Sequence, residues 1–75
     1  MKDRIFAILN EIQEEILNYD GHNMIVDGVI DSFQVIDIVA ALEEEFEIEI
    51  DAQYVVAENF ADKEAIIAMV EKLLR

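Results

Sequence analysis

Apolar residues recur at helical intervals in three stretches of the chain. Ile5, Leu9, Ile12 and Ile16 step by i, i+4, i+7 and i+11, and Ile8 widens the stripe. That spacing predicts a first helix from about Asp3 to Asn18. Asp3 is placed to cap its start, and Glu11, Glu14 and Glu15 fall on the solvated side. Val35, Val39, Leu42 and Phe46 repeat the pattern, joined by Ile38, and predict a second helix from about Ser32 to Phe46. Its outward face reads Phe33, Asp37, Ala40 and Glu44, part apolar and part acidic. A last helix, capped by Asp62 and running to about Leu74, turns Ile66, Met69 or Val70, and Leu73 inward. Lys72 and Arg75 lie at its end, where cations suit the helix dipole.

Between these stretches the period fails. Tyr19 to Asp31 holds both glycines, in the turn signals Asp20-Gly21 and Asp27-Gly28, and the single His. So long a connection in a small domain tends to carry function or disorder. Met24, Ile25, Val26, Val29 and Ile30 are expected to pin this loop on the core. Glu47-Ile48-Glu49-Ile50 alternates with period two, but a lone short strand has no partner. An extended linker with Ile48 and Ile50 facing inward is expected instead. Asp51 is expected to cap a short helix through about Asn59, with Asn59 as a left-handed terminator. The expected fold is all-α, a four-helix bundle of three longer helices and a short third one, with a long loop between helices one and two. Residues 1–75 form a single domain, with no internal repeat or interdomain linker.

Composition narrows the function. Five Lys and Arg face eighteen Asp and Glu, for a net charge of −13. The chain is nonetheless 55% hydrophobic, which sets it apart from a disordered acidic tail. A domain this short buries only roughly 60% of its unfolded surface, so its core is thin. The charge argues against the phosphate backbone of nucleic acid and for basic partners. Crowded carboxylates should repel, so mild acid or divalent cations are expected to stabilise the chain. No Cys is present, so there is no disulfide and no cysteine-rich zinc site. No uncharged apolar run is long enough to span a membrane, and the N-terminus has no secretory-signal pattern, so a cytoplasmic location is expected. Pro and Thr are absent, and Ser32 is the only aliphatic hydroxyl.

The informative junction is Asp27-Gly28-Val29-Ile30-Asp31-Ser32-Phe33. A turn feeds an apolar pair, and Asp-Ser then opens an amphipathic helix. Either Asp31 or Ser32 can satisfy the first amides of that helix, and capping alone accounts for the pair. The helix ends in Glu43-Glu44-Glu45, negative charge at the negative end of its dipole, which costs about a few tenths of a kcal/mol per residue.

In these features the sequence resembles the acyl carrier protein family, the phosphopantetheine-binding domains. Asp31-Ser32-Phe33 after Gly28 matches the tripeptide at the start of that family's second helix. Ala41-Leu42-Glu43-Glu44-Glu45-Phe46, then Glu49-Ile50, looks like the end of that helix in bacterial carriers, and Asn59-Phe60 before Asp62 looks like the approach to their last helix. The resemblance covers nearly the whole chain. Phe33 stands where Leu is commoner, and Ile30 where fatty-acid-synthesis carriers often have Ala. Both resemble discrete carriers of secondary-metabolite, surface-polymer or aminoacyl pathways.

The resemblance implies a monomeric, non-catalytic carrier. Ser32 would bear 4′-phosphopantetheine, donated by coenzyme A, whose thiol holds an acyl or aminoacyl cargo as a thioester. Asp31, Phe33 and Gly28 would shape the attachment junction. Phe33, Asp37, Ala40, Glu43 and Glu44 would face a phosphopantetheinyl transferase and the ligases, synthases or transferases that load and unload the cargo. A phosphate on Ser32 would suit a helix N-terminus. Asp31 and Asp27 would oppose it, so a mobile arm is expected and not a tight cradle. The rival from another class is an acidic helical interaction module for a basic protein, with Ser32 only a cap.

Other signals carry less. One His and one Ser without a nucleophile-elbow motif make a poor hydrolase, and His22 reads as a loop residue. No spacing matches a calcium-binding loop, and no dedicated metal site is expected. Met24 and Met69 read as core filler, and Tyr19 and Tyr54 as half-buried packing residues with wet hydroxyls. The apolar faces of helices two and four could bury an acyl chain, and core packing explains them equally well.

Overall fold

A computed structural model describes residues 1–75. Three α-helices form the frame: α1 (Lys2–Ile12), α2 (Ser32–Phe46) and α3 (Lys63–Leu73). Three 3₁₀ turns complete the regular structure, at Glu14–Asn18, Ala52–Tyr54 and Ala57–Phe60. There is no strand. The fold class is all-α, but the expected four-helix count is corrected to three.

The missing helix is the short third one. Asp51 makes no side-chain cap, and Val55 and Val56 leave the helical region, Val56 being extended at φ −127° and ψ 155°. The segment therefore splits into two turns. Asn59 lies inside the second and terminates nothing; its Nδ2 instead donates to the Tyr54 carbonyl at 2.8 Å and ties the two turns together.

The first helix is also shorter than its stripe. It opens on Met1, not Asp3, which sits in the first turn where a carboxylate suits the dipole. It closes at Gln13, whose backbone is extended. The chain then re-enters a 3₁₀ turn, with the Gln13 side chain accepting from the Glu15 amide. Ile16 is still fully buried, so the stripe serves the core across the break.

Fourteen residues are buried, all apolar. Ile5, Leu9 and Ile16 face Val35, Ile38 and Leu42 of α2 and Ile66, Ile67, Met69 and Val70 of α3. Val39, Phe46 and Leu73 pack half-buried around them, and Ile67 adds a position outside the expected stripe. Phe60 is the largest buried side chain and, with Ile50, brings the 3₁₀ segment onto the core. Ile48 packs half-buried against the same core, as the extended-linker reading requires.

The long loop is anchored at several points. Met24 and Ile30 are buried, and Ile25 and Val29 pack half-buried, but Val26 is 77% exposed and pins nothing. The Met24 amide donates to the Ala61 carbonyl at 2.8 Å and Asn23 Nδ2 to the Ala57 carbonyl at 3.1 Å, and just before the loop Lys63 Nζ donates to the Leu17 carbonyl at 2.7 Å. Within the loop, Tyr19 donates its hydroxyl to Asp27 and accepts from the Asn23 amide. Gly21 passes so close to this ring that a Cβ there would lie 2.7 Å from Tyr19 Cζ and 2.8 Å from Asp27 Oδ2. Gly28 is required for another reason: its φ is +78°, a conformation that L residues rarely adopt.

The two termini of α2 are held differently. At the start, Asp31 Oδ1 accepts from the Gln34 amide at 2.9 Å while Gln34 Oε1 accepts from the Asp31 amide at 3.0 Å, a complete capping box. At the end, Glu47 takes the left-handed cap at φ 52° without being glycine. Arg4 crosses from α1 to meet this end. Its Nε donates to Glu45 Oε2 at 2.6 Å, its guanidinium to the Glu45 carbonyl at 2.9 Å, and its Cζ lies 4.8 Å from the Phe46 ring centroid. One cation thus offsets both an acidic side chain and the negative helix end.

Candidate functional site

The capping box decides which residue of the Asp31-Ser32 pair is the cap. Asp31 does the capping, and Ser32 becomes the first helical residue. Ser32 is exposed, and its hydroxyl makes no hydrogen bond within the chain. The amides of Ser32 and Phe33 likewise have no protein partner, as expected for the first turn of a helix. A free hydroxyl therefore stands beside two free donors at the positive end of a fifteen-residue helix.

Ser32 also lies on the rim of an apolar groove of about 420 Å³. Val35 and Ile36 of α2 form one wall, Val55, Val56 and Phe60 the other, and Ile25 closes the end toward the loop. Ile36 is 61% exposed, and Val55 and Val56 are partly open. The groove runs between α2 and the 3₁₀ segment, not between the second and last helices. Sequence reasoning missed these residues. Ile36 sits one helical turn beyond Ser32, on its own face of α2, and that relation was the available signal.

The expected docking residues separate into two groups. Phe33, Asp37, Ala40 and Glu44 are all exposed along one ridge of α2, with Phe33 77% open to solvent. Glu43 is not among them in the same sense. It is half-buried, and its Oε2 accepts from the Ile50 amide at 2.8 Å, holding the linker against the helix. Gly28 is placed at the sharp turn that leads into Ile30 and Asp31.

The junction carries the carboxylates of Asp27 and Asp31, each hydrogen-bonded and neither in an ion pair. The chain has one ion pair, Arg4 with Glu45, at the far end of α2 from Ser32. In the loop before Ser32, the Tyr19 phenol is held above its ordinary value, first by desolvation and then by the hydrogen bond it donates to Asp27, with the Asn23 amide opposing. His22 is exposed in the loop, and no three of the His, Asp and Glu side chains converge to hold a metal ion. No helix is long and apolar enough to cross a membrane.

No family model, no curated protein and no solved structure matches the chain.

Proposed function

We propose that this chain is a non-catalytic carrier in which Ser32 bears 4′-phosphopantetheine and holds an acyl or aminoacyl cargo for partner enzymes. The observation that carries the reading is the placement of Ser32. Its hydroxyl is exposed and unbonded at the first position of a helix whose cap is supplied by its neighbour, so modification disturbs no existing contact. The residues fit the group. The free Ser32 and Phe33 amides would meet its phosphate, and the groove at the rim offers apolar surface to a cargo. When bound, the group supplies the thiol that the chain itself lacks, since it has no Cys.

The protein contributes position and recognition. Asp31 and Gln34 lock the start of α2, and Gly28 turns the chain into it. The ridge of Phe33, Asp37, Ala40 and Glu44 would meet enzymes that carry basic docking surfaces, where charge complementarity raises the encounter rate and selects partners. A carrier that must leave each enzyme benefits from that balance.

Intact mass before and after incubation with coenzyme A and a broad-specificity phosphopantetheinyl transferase tests this. One added phosphopantetheine on the native chain, and none on a folded Ser32→Ala variant, is the expected result. A folded native chain that gains no mass from an active transferase would overturn the reading and favour an acidic interaction module.

A further inference from the structure

A second groove lies on the other flank of the α2 ridge. It measures about 510 Å³ and is formed between α1 and α2 by Ile8, Glu11, Ile12, Gln34, Asp37 and Ala41. Its composition differs from the groove beside Ser32. Ile8, Ile12 and Ala41 give a half-buried apolar floor, and the exposed carboxylates of Glu11 and Asp37 stand over it, one from each helix. Neither carboxylate has an ion pair or a hydrogen bond within the chain. No Lys, Arg or His lines this groove, and Glu11 and Asp37 are in no ion pair.

We infer that the α1–α2 groove receives an Arg or Lys side chain from the enzymes that dock on α2, an inference that rests on the carrier reading above. A long basic side chain lays its methylene stem on apolar surface and keeps its charged head at the polar edge. Apolar floor and acidic rim match that division. The location is also fitting. Asp37 belongs both to the exposed ridge and to this groove, so an enzyme seated on Phe33, Ala40 and Glu44 reaches the groove without a second footprint. The docking surface accordingly extends onto α1, and Glu11 becomes a recognition residue.

The test compares the kinetics of phosphopantetheine transfer at low salt for three variants and the native chain. Glu11→Lys is expected to raise KM about fivefold, the scale of one partly exposed ion pair. Glu14→Lys makes the same charge change outside the groove and is expected to leave KM near the native value. Ala41→Met fills the floor without changing charge and is expected to raise KM as well, with melting temperature confirming that it folds. Equal KM for Glu11→Lys and Glu14→Lys, or a native KM for a folded Ala41→Met, would overturn the groove while leaving the carrier reading intact. No transfer to the native chain would overturn both.

Discussion

The Tyr19 hydroxyl donates to Asp27 Oδ2 at 2.5 Å, tying the start of the loop that leads to Ser32 to the turn before Gly28. The Tyr19 hydroxyl oxygen also accepts from the Asn23 amide at 2.7 Å, so one side chain folds this part of the loop on itself. Tyr19→Phe keeps the ring and removes both bonds. A lower urea midpoint at neutral pH is expected. The pH dependence has a definite sign. The folded-state value of this phenol is raised, so the folded chain holds the proton more tightly than the unfolded one. The associated stability is fully present below the ordinary phenol value of about 10 and is lost as pH rises through the folded value. Tyr19→Phe should flatten that alkaline decline; an unchanged decline would show that this phenol is not its source.

The two glycines should respond differently to alanine. Gly21→Ala drives a Cβ against the Tyr19 ring and the Asp27 carboxylate, so about 1–3 kcal/mol should be lost along with the hydrogen bond between them. Gly28→Ala meets open space and suffers only from its positive φ, about 1 kcal/mol. Thermal melts of both, with NMR of the Asn23 amide, separate the cases. That amide should shift strongly in the first variant and little in the second.

Arg4 links the helices through three interactions of unlike kind. The ion pair with Glu45 is partly exposed and contributes little, while the bond to the Glu45 carbonyl and the contact with Phe46 depend on the planar guanidinium. Arg4→Ala should cost about 1 kcal/mol, and Arg4→Lys should recover less than half of it. Full recovery by Lys, read from urea midpoints, would assign the effect to charge alone.

A net charge of −13 with one ion pair leaves repulsion unrelieved across the surface. Raising ionic strength from low to physiological should raise the melting temperature, because screening then acts over about 8–10 Å. A flat response would mean that the carboxylates are already too far apart to matter.

Helix α2 was legible because three signals coincide there: an apolar stripe, an Asp-Ser start, and a run without Gly or Pro. Asp62 was equally plain, and its Oδ1 accepts from the Ala65 amide at 2.8 Å. The break at Gln13 was hidden because the Ile5–Ile16 stripe continues through it. A 3₁₀ turn can keep one more apolar residue inward, so burial does not reveal the interruption. The 51–60 segment misled for the opposite reason. Asp51 has the identity of a cap, but Val55 and Val56 turn toward solvent and the groove. Glu43 reads from the sequence as a docking residue, and its role in holding the linker could not be seen there. Its bond to the Ile50 amide exists only once the linker folds back beside the helix.

The groove beside Ser32 has unequal walls. One is a capped helix of fifteen residues, and the other is a pair of 3₁₀ turns whose backbone bonds are few and whose Val55 and Val56 lie at the surface. Local opening therefore costs less on the second side than unfolding of the whole chain. Amide protons between residues 52 and 60 should exchange well before those of α2. Such an order of exchange would mean that the groove widens from its 3₁₀ side while the helix bearing Ser32 keeps its shape.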